Sequence, residues 1–124
     1  MATARQPNVL LVEDEPLLRT FASEQLRGEG LCVVEAPAGA YAIALLEQHP
    51  EIDVLFTDMK MPGAINGLTL ASVARQIHPH LVVILTSGKW TRTDDDVPEG
   101  AVFVEKPYSI DAVAQLVKAL VKPA

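Results

Sequence analysis

The chain contains one cysteine, few aromatic residues and fewer basic than acidic side chains. Cys32 alone provides neither a disulfide framework nor a cysteine zinc site, and favours a reducing, cytoplasmic setting. The 10 Lys and Arg against 16 Asp and Glu give a net charge of -6, which argues against direct nucleic-acid binding. No apolar run is long enough to cross a bilayer, and the N-terminal residues lack the apolar segment of a signal peptide.

The size and composition are those of a globular domain. The 124 residues are 49% hydrophobic and 21% charged, enough to bury a core and too apolar for a disordered chain. We therefore expect a single domain over residues 1–124, with an ordered core over about residues 8–121.

Five short apolar runs recur along the chain. They are continuous rather than alternating, which is typical of parallel strands buried on both faces. The runs are VLLV at 9–12, CVV at 32–34, DVLF at 53–56, LVVIL at 81–85 and AVFV at 101–104.

Most of the intervening segments have helical spacing of apolar residues. In the first, Leu18, Phe21, Ala22 and Leu26 follow this spacing, and Pro16 suits a first helical turn. Ser109 is the expected N-cap of the last helix. Strands alternating with helices predict an α/β fold with a parallel sheet.

One connection departs from the alternation. The segment TSGKWTRTDDDVPEG, between the fourth and fifth runs, has three adjacent aspartates, a proline and little apolar periodicity. We expect the fourth helix to be shortened or absent, and residues 88–100 to be largely non-helical and mobile at rest.

Polar residues that could form a site follow the first, third, fourth and fifth apolar runs. Because the carboxyl ends of parallel strands lie at one edge of the sheet, where ligands bind in such folds, we expect these residues to converge. They are Glu13 and Asp14 after the first run, Asp58 after the third, Thr86 and Ser87 after the fourth, and Lys106 after the fifth.

This set of side chains suits metal binding and phosphoryl transfer. Clustered carboxylates repel one another, and Mg²⁺ relieves the repulsion because it prefers oxygen ligands. Asp58 could then act as the nucleophile in phosphoryl transfer, with Lys106 and a hydroxyl neutralising charge on the phosphoryl oxygens. Each residue alone could belong to a solvated turn or a surface loop, but their order at four strand ends favours a site.

Two enzyme or cofactor functions compete with this hypothesis. A phosphatase with an aspartate nucleophile would need Asp-x-Asp, but the residue two after Asp58 is Lys60. Flavin binding would need a Ser/Thr/Gly-rich phosphate loop after the first strand, where this chain has EDEP.

The segments LLVEDEPLLR, DVLFTDMKMPGAINGLTLA, VVILTSG and VFVEKPY resemble the signature segments of response-regulator receiver domains, which include the chemotaxis regulators of two-component signalling. The resemblance runs from about residue 8 to 121. It implies a flavodoxin-like fold with five parallel strands in the order 2-1-3-4-5. It also implies phosphorylation of Asp58, with Mg²⁺ held directly by Asp14 and through water by Glu13, and Mn²⁺ as a substitute.

The resemblance assigns further roles. Asp58 and the backbone carbonyl of Lys60 would complete the protein ligands of the metal. Either Ser87 or Thr86 would be the switch hydroxyl; Ser87 followed by a glycine fits the family pattern better. Lys106 would be the phosphoryl-binding lysine, and Phe103 the aromatic residue that moves with the switch hydroxyl. Pro107 would follow a peptide bond that is commonly cis in the family, and Gly67 would be the first residue of the third helix.

The implied function is a phosphoacceptor rather than an enzyme, catalysing only its own phosphorylation and slow dephosphorylation. The implied partners are a histidine kinase or histidine phosphotransferase and an unknown downstream protein, with no direct nucleic-acid or membrane contact. A stand-alone receiver and one excised from a hybrid histidine kinase both stay open, as does the oligomeric state. A degenerate receiver used as a scaffold is disfavoured, because Asp58, Asp14 and Lys106 are all present.

Overall fold

A computed structural model describes residues 6–60, 65–87 and 99–121 of the chain. Within these residues strands alternate with helices along the chain. The elements are β1 (Asn8–Val12), α1 (Pro16–Gly28), β2 (Cys32–Ala36), α2 (Gly39–Gln48), β3 (Val54–Asp58), α3 (Gly67–Ile77), β4 (Val82–Ser87), β5 (Val102–Glu105) and α4 (Ile110–Leu120).

The five strands form one parallel sheet in the order β2-β1-β3-β4-β5, which confirms the predicted fold. All carboxyl ends therefore lie at one edge, here called the carboxyl edge. At this edge Asp58 pairs with Thr86 across β3 and β4, and Ser87 pairs with Glu105 across β4 and β5.

Helices cover both faces of the sheet. Successive residues of β1 show this: Leu10 and Val12 pack towards α2 and α3, whereas Val9 and Leu11 pack towards α1 and α4. The continuous apolar runs are explained by this burial on both sides.

The polar residues that end β3 and β4 belong to the strands themselves. β3 extends through Asp58 and β4 through Ser87, in each case two residues beyond the apolar run that predicted the strand. Backbone pairing does not depend on side-chain polarity, so the parallel ladder continues past the last apolar residue. Asp58 is consequently held by the sheet and not by a loop.

The apolar spacing in the first segment predicted the helix α1, but only two of the four residues that follow it are buried. Ala22 and Leu26 are buried, but Leu18 and Phe21 are 56% and 58% exposed, and Leu17 beside them is also exposed. Leu18 and Phe21 border a cavity at the carboxyl edge. Among the described residues, no element covers them there.

The helix ends follow local sequence signals. The Ser109 Oγ accepts a hydrogen bond from the Ala112 amide, which confirms the predicted N-cap. α3 ends at Ile77, before His78-Pro79. The expectation for the segment after β4 concerns mainly residues 88–98, which lie outside the described residues. None of the described helices is long and apolar enough to cross a membrane.

Candidate functional site

The carboxyl edge of the sheet contains a cavity of about 470 Å³. Its polar lining comes from the ends of four strands and the turns after them, and includes Glu13 after β1, Asp58 on β3, Thr86 on β4 and Lys106 after β5. Residues far apart in the chain therefore meet here, as the strand-end positions predicted.

Asp58 is bonded through both of its carboxylate oxygens. Oδ2 accepts from the Lys106 ammonium at 2.5 Å, and Oδ1 accepts from the Lys60 backbone amide at 3.0 Å. The Asp58 side chain is only 18% exposed. The carboxylate is thus fixed in orientation while part of it still faces the solvent.

Lys106 is coupled electrostatically to the acids. Burial acts to lower its pKa, but the hydrogen bond and charge of Asp58, together with Glu13, outweigh it and raise the pKa of Lys106. The lysine is therefore a firmly protonated cation at the site, suited to neutralise a phosphoryl oxygen.

The acidic pair carries negative charge that Lys106 does not fully compensate. Burial, and then repulsion from Asp14, raise the pKa of Glu13 above its ordinary value of 4.5, although Lys106 acts to lower it. Asp58 adds to the repulsion. Added positive charge would relieve this arrangement.

The donor set fits Mg²⁺ better than a closed metal cage. Across residues 6–60, 65–87 and 99–121, no three His, Cys, Asp or Glu side chains are grouped so that they could hold a metal ion unaided. Mg²⁺ needs only one or two carboxylates and keeps several waters. Asp14, which is exposed, and Asp58, at the cavity, can supply carboxylates of this kind.

Two backbone features support Asp58 from the side of α3. The Lys60 amide donates to the Asp58 carboxylate, and the Lys60 carbonyl as a metal ligand stays a prediction. Gly67 begins α3, as expected, and a Cβ there would lie 2.0 Å from the Asp58 carbonyl oxygen. Only glycine allows this approach, and the Gly67 amide donates to the Met59 carbonyl at 3.0 Å.

The two hydroxyls at the end of β4 differ in position. Both are buried, but Thr86 pairs with Asp58 and borders the cavity, whereas Ser87 is not part of its lining. The Ser87 carbonyl instead accepts from the Lys106 amide at 3.0 Å. Thr86 therefore lies at the cavity, although the sequence pattern favoured Ser87 as the switch hydroxyl.

The remaining predicted residues lie on β5 and just after it. The Lys106–Pro107 peptide bond is cis, as the resemblance implied. Phe103 is half-buried and packs with the core on the α2–α3 side of the sheet.

Two further residues, Tyr108 and Arg19, lie at or near the site and were not predicted from the sequence. Tyr108 lines the cavity and contacts Phe56 edge-on, with ring centroids 5.7 Å apart, and burial raises its pKa. Arg19 donates from Nη1 to the Glu13 carbonyl at 2.8 Å. A polar residue inside the apolar spacing of α1 was the available signal for Arg19.

Comparison with known proteins places these features in a family. The family described as "Response regulator receiver domain" matches residues 9–118. The receiver domain of the hybrid histidine kinase CckA has a similar solved structure, with 34% identity, a TM-score of 0.79, and coverage of 93% of this chain and 99% of that one. The response regulator TrrA, solved in complex with the histidine kinase ThkA, appears among the matches at 28% identity and a TM-score of 0.81, covering 94% and 100%.

The chain covers very different fractions of the length of its curated relatives. The sensor kinase CckA of Brucella abortus is 33% identical over 92% of this chain, which covers 12% of that protein. The probable transcriptional regulatory protein TcrX of Mycobacterium tuberculosis is 33% identical over 98% of the chain, covering 52% of it. The response regulator receiver protein CpdR of Brucella abortus is 32% identical over 91% of the chain, and 96% of it is covered. The matched family model and these relatives show that the chain belongs to the response regulator receiver domain family.

Proposed function

We propose that this receiver accepts a phosphoryl group on Asp58 from a histidine kinase or histidine phosphotransferase, in a reaction that requires Mg²⁺ or Mn²⁺. One observation carries the proposal: the partly exposed Asp58 carboxylate ends β3 at the carboxyl edge, with the Lys106 ammonium hydrogen-bonded to it. Receiver domains are signalling modules, so the reaction is a step in information transfer.

The chemistry follows from the arrangement. An Asp58 oxygen attacks the phosphorus of a phosphohistidine; the new P–O bond forms as the P–N bond breaks, and the imidazole leaves. Because Lys106 bonds Oδ2, phosphorylation there moves its hydrogen bond from the carboxylate to a phosphoryl oxygen. Bound Mg²⁺ would supply further positive charge, with Asp14 and Asp58 as direct ligands and Glu13 acting through water.

The donor protein would reach Asp58 from the side of α1. Leu17, Leu18 and Phe21 are exposed apolar side chains, and the last two border the cavity that contains Asp58. An apolar surface beside a reacting group suits protein docking. The ThkA–TrrA complex shows that a similar receiver engages a histidine kinase.

Thr86 is the proposed switch hydroxyl, because it borders the cavity beside Asp58. Its hydroxyl would donate to a phosphoryl oxygen and shift the end of β4, with Phe103 on the neighbouring strand responding. A downstream protein would read this change. We place the reaction in the cytoplasm, with slow dephosphorylation at the same site.

Intact mass spectrometry after treatment with acetyl phosphate and MgCl₂ tests the proposal. We expect one added phosphoryl group in the wild type, none in Asp58→Asn, and none when EDTA replaces the metal. Modification that persists in Asp58→Asn, or that ignores EDTA, would refute the assignment.

Lys106→Ala tests the role of the lysine. We expect a folded protein with slower phosphorylation, because charge on the phosphoryl oxygens loses its neutralising cation. Lys118→Ala is the matched control: Lys118 lies on α4 and pairs with Glu29 at 3.8 Å, outside the cavity lining. Equal rates in the two variants would remove Lys106 from the mechanism.

A further inference from the structure

A line of polar side chains joins α1 to the edge strand β2. Arg19, Ser23 and Arg27 are spaced by four residues and so lie on one face of the helix. All three face Glu35, the one charged residue of β2. We call Arg19, Ser23, Arg27 and Glu35 the polar seam.

Glu35 uses its two carboxylate oxygens differently. Oε2 accepts from the Ser23 hydroxyl at 3.2 Å and from Arg27 Nη2 at 3.4 Å. Oε1 lies 3.8 Å from Arg19 Nε. Ser23 is 1% exposed, so its hydroxyl is closed to solvent. Glu35 therefore restrains the Arg19 guanidinium from the side of β2.

Arg19 extends beyond the seam to the acidic turn. While Nε faces Glu35, Nη1 donates to the Glu13 carbonyl at 2.8 Å. The Glu13 amide in turn donates to the Ala36 carbonyl at 3.1 Å. The peptide groups on both sides of Glu13 are thus held, one by β2 and the other by Arg19.

This contact matters because it comes from α1 and bonds the backbone of the acidic turn. α1 begins at Pro16, and its N-cap residue Glu15 makes no side-chain hydrogen bond to the first turn. The Arg19 guanidinium instead ties the carbonyl next to Asp14 to the body of the domain.

We propose that Arg19 is a positioning residue that holds the Glu13–Asp14 turn in the conformation that binds the metal, and that Glu35 acts through Arg19 by keeping its guanidinium on the backbone carbonyl. The inference rests on the proposed function for the use of Mg²⁺ at this turn. Arg19 touches no reacting atom, and its effect is on the geometry of the carboxylates.

The direction in which an Arg19 substitution changes the Kd for Mg²⁺ shows whether Arg19 positions the metal ligands or acts only through its charge. Removing a positive charge near a cation site should strengthen Mg²⁺ binding if charge alone matters. Removing a group that orients metal ligands weakens metal binding by about 10- to 100-fold in other proteins. We therefore expect Arg19→Gln to raise the Kd for Mg²⁺ by about tenfold.

Arg27→Gln is the matched control. Arg27 is on the same helix, carries the same charge and contacts the same Glu35, but its other hydrogen bond goes to the Val33 carbonyl rather than to Glu13. We expect its Kd for Mg²⁺ to stay within about twofold of the wild type, since surface charges interact weakly through water.

Isothermal titration of each unphosphorylated protein with MgCl₂ alone measures these constants, with circular dichroism and thermal unfolding as checks on the fold. Glu35→Gln provides a second variant should Arg19→Gln fold poorly. It should weaken Mg²⁺ binding in the wild-type background and add nothing in the Arg19→Gln background, because it acts through Arg19.

Three results would overturn the inference. They are unchanged or tighter Mg²⁺ binding by Arg19→Gln, equal weakening by Arg19→Gln and Arg27→Gln, and additive effects of the Arg19 and Glu35 substitutions. If the wild type itself binds no Mg²⁺, the metal dependence of the proposed function fails and the inference with it. If the wild type binds Mg²⁺ and Arg19→Gln binds it equally well, only the inference fails.

Discussion

Helices α1 and α4 share one face of the sheet and both begin at its carboxyl edge, yet they are held in different ways. α4 starts with a serine cap and buries Val113, Ala114 and Val117. α1 has no side-chain cap, and its first two turns leave Leu17, Leu18 and Phe21 largely exposed.

The two helices therefore have different roles: α4 mainly stabilises the fold, whereas the first half of α1 borders the site. α4 follows the usual rules for a stable amphipathic helix: a cap, an apolar stripe and a basic residue in the last turn. The first half of α1 contributes little to the core but borders the cavity beside Asp58. Its second half, from Ala22 to Leu26, anchors the helix.

The largest predicted effect contrasts the two halves of α1. Leu26→Ala should lower the free energy of unfolding by about 2–5 kcal/mol, because Leu26 is fully buried and its removal leaves a cavity. Leu18→Ala, the same substitution at a 56% exposed position, should cost about 0.5 kcal/mol or less. Urea unfolding measures both, and similar losses would mean that the two halves contribute equally.

The next effect concerns the cap of α4. Ser109→Ala should destabilise the protein by about 1 kcal/mol, because the Ala112 amide loses its acceptor. Ser109→Asp is the control, since an aspartate oxygen can accept the same hydrogen bond and should preserve stability. If Ser109→Ala unfolds at the wild-type urea concentration, the cap contributes nothing to α4.

An N-cap introduced into α1 should increase the free energy of unfolding, by the same amount as the Ser109→Ala loss or less. Glu15 has the extended backbone of an N-cap but makes no side-chain hydrogen bond to the helix. Glu15→Ser should raise stability by about 0.5–1 kcal/mol, because its hydroxyl can accept from a first-turn amide. Thermal unfolding in EDTA measures this change; a lower melting temperature would contradict it.

The smallest effect is a pH dependence at the turn before α1. Because the pKa of Glu13 is raised in the folded protein, the folded state keeps this proton to higher pH than the unfolded chain. Ionisation of Glu13 therefore costs stability at neutral pH, and below the unfolded pKa the cost is absent.

Glu13→Gln should consequently be more stable than the wild type at pH 7 without metal, by less than about 1 kcal/mol after solvent screening. The difference should shrink as the pH falls through the raised pKa of Glu13. Urea unfolding in EDTA between pH 4 and 7, with the exposed Glu24→Gln as control, measures it. A difference that grows at low pH would reverse the assigned sign.

The sequence was sufficient for the strand and helix order, because burial on both faces produces continuous apolar runs that stand out from the helical segments. It was also sufficient to place Asp58 and Lys106 at one edge, since parallel strands bring their carboxyl ends together. The hydrogen bond between Lys106 and Asp58, which are 48 residues apart in the sequence, agrees with that expectation.

Other features depend on tertiary contacts that no local pattern encodes. Thr86 and Ser87 are adjacent hydroxyls, and the register of β4 against β3 decides which one faces the cavity. Leu18 and Phe21 match a core stripe in spacing, but the sheet offers them no cover at its carboxyl edge. Arg19 bonds a backbone carbonyl, and such a contact leaves no signature in the partner residue.

Gly67 places the start of α3 directly against the backbone of the phosphoacceptor. Even one methyl group there would overlap the Asp58 carbonyl, so the helix and the end of β3 cannot be varied independently. In a saturation library selected for phosphorylation, Gly67 should be the position in α3 that accepts no replacement, while exposed positions such as Ser72 accept many. A designer who grafts a new output surface onto α3 is therefore free to change its outer face but must leave its first residue alone.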